Sequence, residues 1–141
     1  MDHPMCVCLW FDGQAKEAAE YYCSIFKDSK ITSENPVVVT FELNGNKFIG
    51  LNGGPHFTFN ESVSIMVNCD TQADIDHYWD SLTADGGSES QCGWLKDKYG
   101  LSWQIVPAQI GKWMADTDKA QRVMAEVMRM KKIDLEVLRN A

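Results

Sequence analysis

The chain predicts an α+β fold made of two βαβββ modules in tandem, and three observations carry that prediction. Its punctuation repeats: Asp12 and Asp70 each close a strand-like run, the aromatic pairs Tyr21-Tyr22 and Tyr78-Trp79 follow, and the turn glycines Gly45 and Gly100 come next, all at nearly constant offset. In each repeat an apolar run of strand length precedes a stretch with helical spacing. In each, a glycine turn then joins two further strand-like runs.

Residues 5–11 are the first apolar run, closed by Asp12-Gly13, and residues 14–27 place Ala15, Ala18, Ala19, Tyr22 and Phe26 on one helical face. Residues 30–33 supply a short strand. Residues 37–43 and 47–52 flank Asn44-Gly45-Asn46, a hairpin signal because Asn-Gly accepts positive φ at both turn positions. The second module opens with residues 62–69 and Asp70-Thr71. Thr71 and Asp74 form a capping-box pattern, and Ile75, Tyr78, Trp79 and Leu82 share a helical face until Gly86-Gly87 ends it. Residues 89–91 add a short strand, and 94–98 and 101–106 flank Tyr99-Gly100. Beyond Pro107 the pattern is helical: Asp118 and Gln121 form another box ahead of the stripe Ala120, Val123, Met124, Val127 and Met128. Asp134 then caps a last helix stapled by Ile133 and Leu138. The modules fall at about 5–53 and 62–107, with a C-terminal helical extension at about 108–141, all within one domain.

With 141 residues, 45% hydrophobic and a net charge of −7, the chain reads as a soluble domain that buries a core without disulfides or structural zinc. The acidic balance argues against nucleic acid and anionic membrane as partners, since both are bound through Lys and Arg. No apolar run approaches the ~20 residues of a membrane span. Met1-Asp2-His3-Pro4 lacks an apolar signal core, so a cytoplasmic location is expected. The odd count of five cysteines, at 6, 8, 23, 69 and 92, then reads as reduced thiols.

The stretches FDGQAKEAAEYYCSIFKDSKI from Phe11, FIGLNGGPHFTFNESVS from Phe48, CGWLKDKYGLSWQIVP from Cys92 and MKKIDLEVL from Met130 resemble the PhnB-like family. That family, also labelled 3-demethylubiquinone-9 3-methyltransferase-like, sits in the vicinal oxygen chelate superfamily with glyoxalase I, extradiol dioxygenases and the bleomycin- and fosfomycin-resistance proteins. The resemblance implies a curved, mostly antiparallel eight-stranded sheet with a central cleft and the module helices outside. It also implies a place for a divalent metal held by His, Glu or Gln, one from each of four strands. Those positions fall here at Cys8, Gly50 or Asn52, Ser64 and Gln104. Neutral donors with one thiol suit neither zinc nor a hard cation, so no metal and no other cofactor is expected.

Strand alternation sorts the remaining candidates. Val7, Leu9 and Phe11 pack under a helix, leaving Cys6, Cys8 and Trp10 inside. Val39, Phe41 and Leu43 pack outward, with Thr40 and Glu42 inside. Ile49 and Leu51 are expected outward, with Phe48, Gly50 and Asn52 inside. Val63, Ile65 and Val67 face the helix, with Ser64 inside, and Ser102, Gln104 and Val106 line the cleft behind Trp103 and Ile105. A small-molecule pocket bounded by Trp10, Asn52, Phe57, Ser64, Trp94 and Gln104 is the expected binding site, its aromatic walls and few amides being the usual make-up of such pockets. Cys8, Glu42, Cys92 and Lys96 are the catalytic candidates: either thiol as nucleophile if a neighbour such as Lys96 lowers its pKa, and Glu42 as base or as ion-pair partner of Lys96. The neutral side chains could equally satisfy one another, and the thiols could be inert.

The function expected is binding of an unidentified small molecule without a catalytic metal, the alternative being a metal-independent enzyme of the same fold. Methyl transfer finds no support, because no Gly-rich strand-to-helix loop or doubly wound sheet is present to hold adenosylmethionine. A homodimer is expected from the apolar stripe of the extension, Val123, Met124, Val127, Met128, Leu135 and Leu138.

Overall fold

The first module folds as β1 (Val7–Phe11), α1 (Ala15–Ile25), β2 (Lys30–Glu34), β3 (Val38–Leu43) and β4 (Asn46–Asn52). The computed structural model describes residues 5–141, so the reading of Met1–Pro4 lies outside the described residues. The four strands form one sheet in the order β1-β4-β3-β2. β1 runs parallel to β4 and the other pairs are antiparallel. The β3–β4 hairpin closes through Asn44 and Gly45 at φ 51° and 81°, the paired positive values that an Asn-Gly turn accepts. Ala15, Ala18, Ala19 and Tyr22 on α1 are fully buried, over a row of Leu9, Phe11, Val39, Phe41, Leu43 and Phe48. Tyr22 stacks on Phe41 and Phe41 on Phe48, at centroid distances of 6.3 and 5.6 Å.

β4 has the opposite parity to the one expected. Leu9 pairs with Gly50 and Phe11 with Asn52, so Phe48, Gly50 and Asn52 lie on the α1 side. A Cβ built on Gly50 would come within 3.1 Å of the Ala15 Cβ, so glycine and alanine together let α1 settle close to the sheet. Ile49 and Leu51 accordingly turn to the other face, with Cys8, Trp10, Val38, Thr40 and Glu42. The two aliphatic residues suggested a core-facing row, whereas the approach of the helix demanded the smaller side chain.

The second module repeats the plan with β5 (Ser64–Cys69), α2 (Gln72–Thr83), β6 (Ser88–Glu89), β7 (Trp94–Lys96) and β8 (Ser102–Pro107), in the sheet order β5-β8-β7-β6. Thr71 Oγ1 accepts from Asp74 N at 3.1 Å, the expected cap. Ile75, Trp79 and Leu82 are buried over Val67, Cys69, Leu95, Trp103 and Ile105. Asp97, 2% exposed, organises the turn into β8. Its carboxylate accepts from Tyr99 N at 2.8 Å, Leu101 N at 3.1 Å and the Trp103 indole N–H at 2.8 Å.

Three helices follow: α3 (Ile110–Met114), α4 (Thr117–Val127) and α5 (Leu135–Arg139). α4 is capped by Asp116, which accepts from Asp118 N and Lys119 N, two residues ahead of the expected box; Asp134 caps α5 as expected. Val123, Val127, Leu135 and Leu138 are buried within the chain, so most of the stripe on which pairing was expected closes this unit's own core. Met124 and Met128 remain exposed. By internal contacts one compact unit ends at Phe59 and the other runs from Asn60 to Ala141, taking the helical extension with it. Among the described residues no helix is long and apolar enough to cross a membrane.

Candidate functional site

In the first unit, Trp10 and Phe57 come together. Their rings meet edge to face at 4.8 Å, and the Trp10 indole N–H donates to Gly54 O at 2.8 Å. A Cβ at Gly53 would overlap the indole, so glycine there is what lets the loop fold back over Trp10. Asn52 serves a structural end. Its Oδ1 accepts from Ala15 N at 2.9 Å and its Nδ2 donates to Pro36 O at 3.1 Å, so the amide caps α1 instead of lining an open face. Glu42 does lie on the face away from α1. It borders a space of about 340 Å³ with Cys6, Thr32, Thr40, Lys47 and Ile49.

In the second unit, Ser64 and Gln104 are brought together: Gln104 Nε2 donates to Ser64 Oγ at 2.8 Å, so the two satisfy one another. Trp94 is the ladder neighbour of Gln104, and Lys96 that of Ser102. Trp94, Lys96 and Ser102 border a space of about 250 Å³ with Glu61, Ser88 and Ser90. Lys96 Nζ is held by Glu61 Oε1 at 2.9 Å, and that contact keeps the Glu61 carboxyl below its ordinary range. Ser102 was not among the residues expected to carry the site. It is fully buried, and its hydroxyl has no hydrogen-bond partner among the described residues. Strand alternation placed it on this face, but nothing in a sequence reveals that a hydroxyl lacks a partner.

The two thiol candidates sit in different surroundings. Cys8 is pushed up from the ordinary thiol value, first by partial burial and then by Cys6, the reverse of the lowered pKa that thiolate attack needs. Cys92 precedes β7 at φ 61° and sets its sulfur 3.8 Å from Met128 Sδ, and the Lys96 ammonium is held by Glu61.

The positions at which the fold class places a metal do not fit one. Gly50 offers no side chain, the Asn52 amide is used at both ends, and Ser64 and Gln104 are bonded to each other. That leaves Cys8 as a lone soft donor among neutral oxygens.

Two mixed sheets, each with its first strand parallel to its fourth and a helix laid over one face, define a duplicated α+β fold. Within it, residues 3–106 match the family model described as 3-demethylubiquinone-9 3-methyltransferase, and the chain belongs to that family. It is similar to the PhnB protein from Bacillus cereus, at 31% identity and a TM-score of 0.67 over 74% of this chain and 99% of that one. The fold is shared with the fosfomycin resistance protein FosX from Listeria monocytogenes, at 10% identity and a TM-score of 0.62 over 82% and 97% of the two chains. It is shared also with a glyoxalase-related enzyme from Fulvimarina pelagi, at 16% identity and a TM-score of 0.54 over 72% and 86%. No curated protein matches the chain.

Proposed function

We infer that the chain is a small-molecule binding protein that works without a catalytic metal, and that its second sheet holds the ligand on the face away from α2. The observation that carries this reading is the Ser102 hydroxyl, buried and unpartnered beside a space of about 250 Å³. An unsatisfied buried hydroxyl costs about 1–3 kcal/mol, and because Ser102 is fully covered, a ligand atom that bonds to it and recovers that cost must enter as the side chains over it give way. Trp94 supplies a flat apolar wall, and the Lys96–Glu61 pair gives the rim a charge of each sign. Such a site favours an organic molecule with an aromatic or flat apolar part and a hydrogen-bonding group at its inner end.

Methyl transfer finds no support in these residues. Each sheet is mixed and covered by its helix on one face, and among the described residues there is no glycine-rich strand-to-helix loop to cradle adenosylmethionine. The family's name therefore does not describe the reading that the residues support.

Protein purified under native conditions, desalted and then denatured, is expected to release a small organic molecule detectable by mass spectrometry. Ser102→Ala and Trp94→Phe should each release markedly less. No released molecule, or equal release from both variants, overturns the assignment.

A further inference from the structure

Cys8 within β1 and Cys6 just ahead of it are two thiols that the binding reading does not use. Cys6 and Cys8 are both exposed. Cys8 alternates with Val7 and Leu9 and so lies on the face away from α1, and Cys6, just ahead of the strand, borders a space with Thr40, Glu42 and Ile49 of that face. Extended backbone would set Cα atoms two residues apart about 6.6–6.8 Å from one another, and rotation at χ1 can bring such sulfurs closer than that spacing. β1 is an edge strand of its sheet, so a neighbouring strand covers only one of its sides. The two groups sense each other: a charge on Cys6 is one of the causes that hold the Cys8 proton in place, after partial burial. A cation seated between the sulfurs would reverse that contribution.

The donor count restricts the cation. Among the described residues no group of three or more His, Cys, Asp or Glu side chains is placed to share an ion. The described residues therefore offer two thiols and not the larger ligand sets that tetrahedral zinc and the oxygen-seeking hard cations take. A soft d¹⁰ ion that accepts two thiolates in line is left, and among the biological metals that is monovalent copper.

We propose that Cys6 and Cys8 form a two-thiolate clamp for monovalent copper at the start of the first strand. Each thiol gives up its proton and each sulfur donates an electron pair to the ion. Copper stays monovalent, two protons leave to solvent, and no oxidant or reductant is consumed. While both thiols are protonated in the free protein, the apparent affinity should therefore rise about 100-fold per pH unit.

The test is anaerobic titration of the reduced protein with the copper(I)–bicinchoninate complex, whose colour reports the copper it still holds. The wild-type chain should withdraw one copper per chain, with the stated pH dependence. Cys6→Ser and Cys8→Ser should each fail to compete, and Cys92→Ser should behave as wild type. Both thiols are exposed, so unchanged circular dichroism is expected for the variants and keeps the readout tied to copper. The rival sulfur pair is Cys92 with Met128, 3.8 Å apart. Copper that disappears with Cys92→Ser or Met128→Leu, copper retained by both Cys6→Ser and Cys8→Ser, or an affinity indifferent to pH would each overturn the clamp.

Discussion

Single side chains in this molecule show how differently a buried polar group behaves with and without partners. Asp97 is buried with three donors on its carboxylate. Replacing it by Ala strands two backbone N–H groups and the Trp103 indole, and should lower the unfolding free energy by about 3 kcal/mol in urea titrations. Ser102 is the opposite case, since its hydroxyl has no partner to lose. Ser102→Ala should raise the stability of the unliganded chain by about 1 kcal/mol while weakening ligand retention, a trade that thermal melts and mass spectrometry read separately. Cys69 adds a pH dependence. Burial, then Asp74 and Asp70, push its thiol up from 9.0 to about 12. A group whose folded value is raised contributes stability that is complete below the unfolded value and disappears as pH rises through the folded one. The Tm of the wild type should therefore fall between pH 9 and pH 12 more steeply than that of Cys69→Ala.

At the scale of elements, the helix caps divide into those a sequence can announce and one it cannot. Thr71 and Asp134 cap α2 and α5 from the adjacent residue, and a local pattern revealed both. Asp116 is also local, but two overlapping acidic candidates made the box at Asp118 look as good. α1 has no side-chain cap at Gln14; its first N–H is taken by Asn52, on a strand more than two dozen residues further along the chain. That is why Asn52 read as a ligand contact: an amide at a strand end carries no mark of where its hydrogen bonds go. Asn52→Ala should cost about 1–2 kcal/mol, measured in urea, and should fray the start of α1 in hydrogen exchange. The parity of β4 failed for a related reason. Alternation compares side chains along one strand, whereas the Gly50–Ala15 contact is set by how near a helix from elsewhere in the chain must come.

Over the whole chain, the duplication was legible because each module spends its turns on the same residue types at the same spacing. The hairpin glycines, the helix faces and the eight strands follow from that rhythm, although β6, read at residues 89–91, forms at Ser88–Glu89. The candidate site was legible in part: Ser64, Trp94 and Gln104 share a face as expected, and Trp10 with Phe57 proved to be each other's partners. The helical extension changed meaning. The family match ends at residue 106, yet Val123, Val127, Ile133, Leu135 and Leu138 are core residues. Gln72 on α2 binds the extension by accepting from Leu135 N at 2.8 Å and donating to Ile133 O at 3.0 Å. Truncation after Pro107 should therefore abolish cooperative unfolding of the second unit, followed by Trp79 and Trp103 fluorescence. Pairing of chains, which we still propose, would use other surface than the buried stripe, and sedimentation at tens of micromolar should show the dimer even in a Met124→Ala, Met128→Ala double variant. Elemental analysis after dialysis should find no stoichiometric zinc, nickel, manganese or iron, and one equivalent of any of them would contradict the donor argument made at the four metal positions.

The cap that Asn52 places on α1 also dictates an order of events. Ala15 and Asn52 are 37 residues apart, and β1 cannot pair with β4 until that loop has closed. The β3–β4 hairpin closes through two residues and can form alone, within microseconds. α1, 11 residues long with no local cap, is too short to persist by itself. The transition state of the first unit should thus contain the hairpin and little of the helix. Substitution of Gly45, held at φ 81°, should slow folding, whereas Ala18→Gly in α1 should leave folding nearly unchanged and speed unfolding instead.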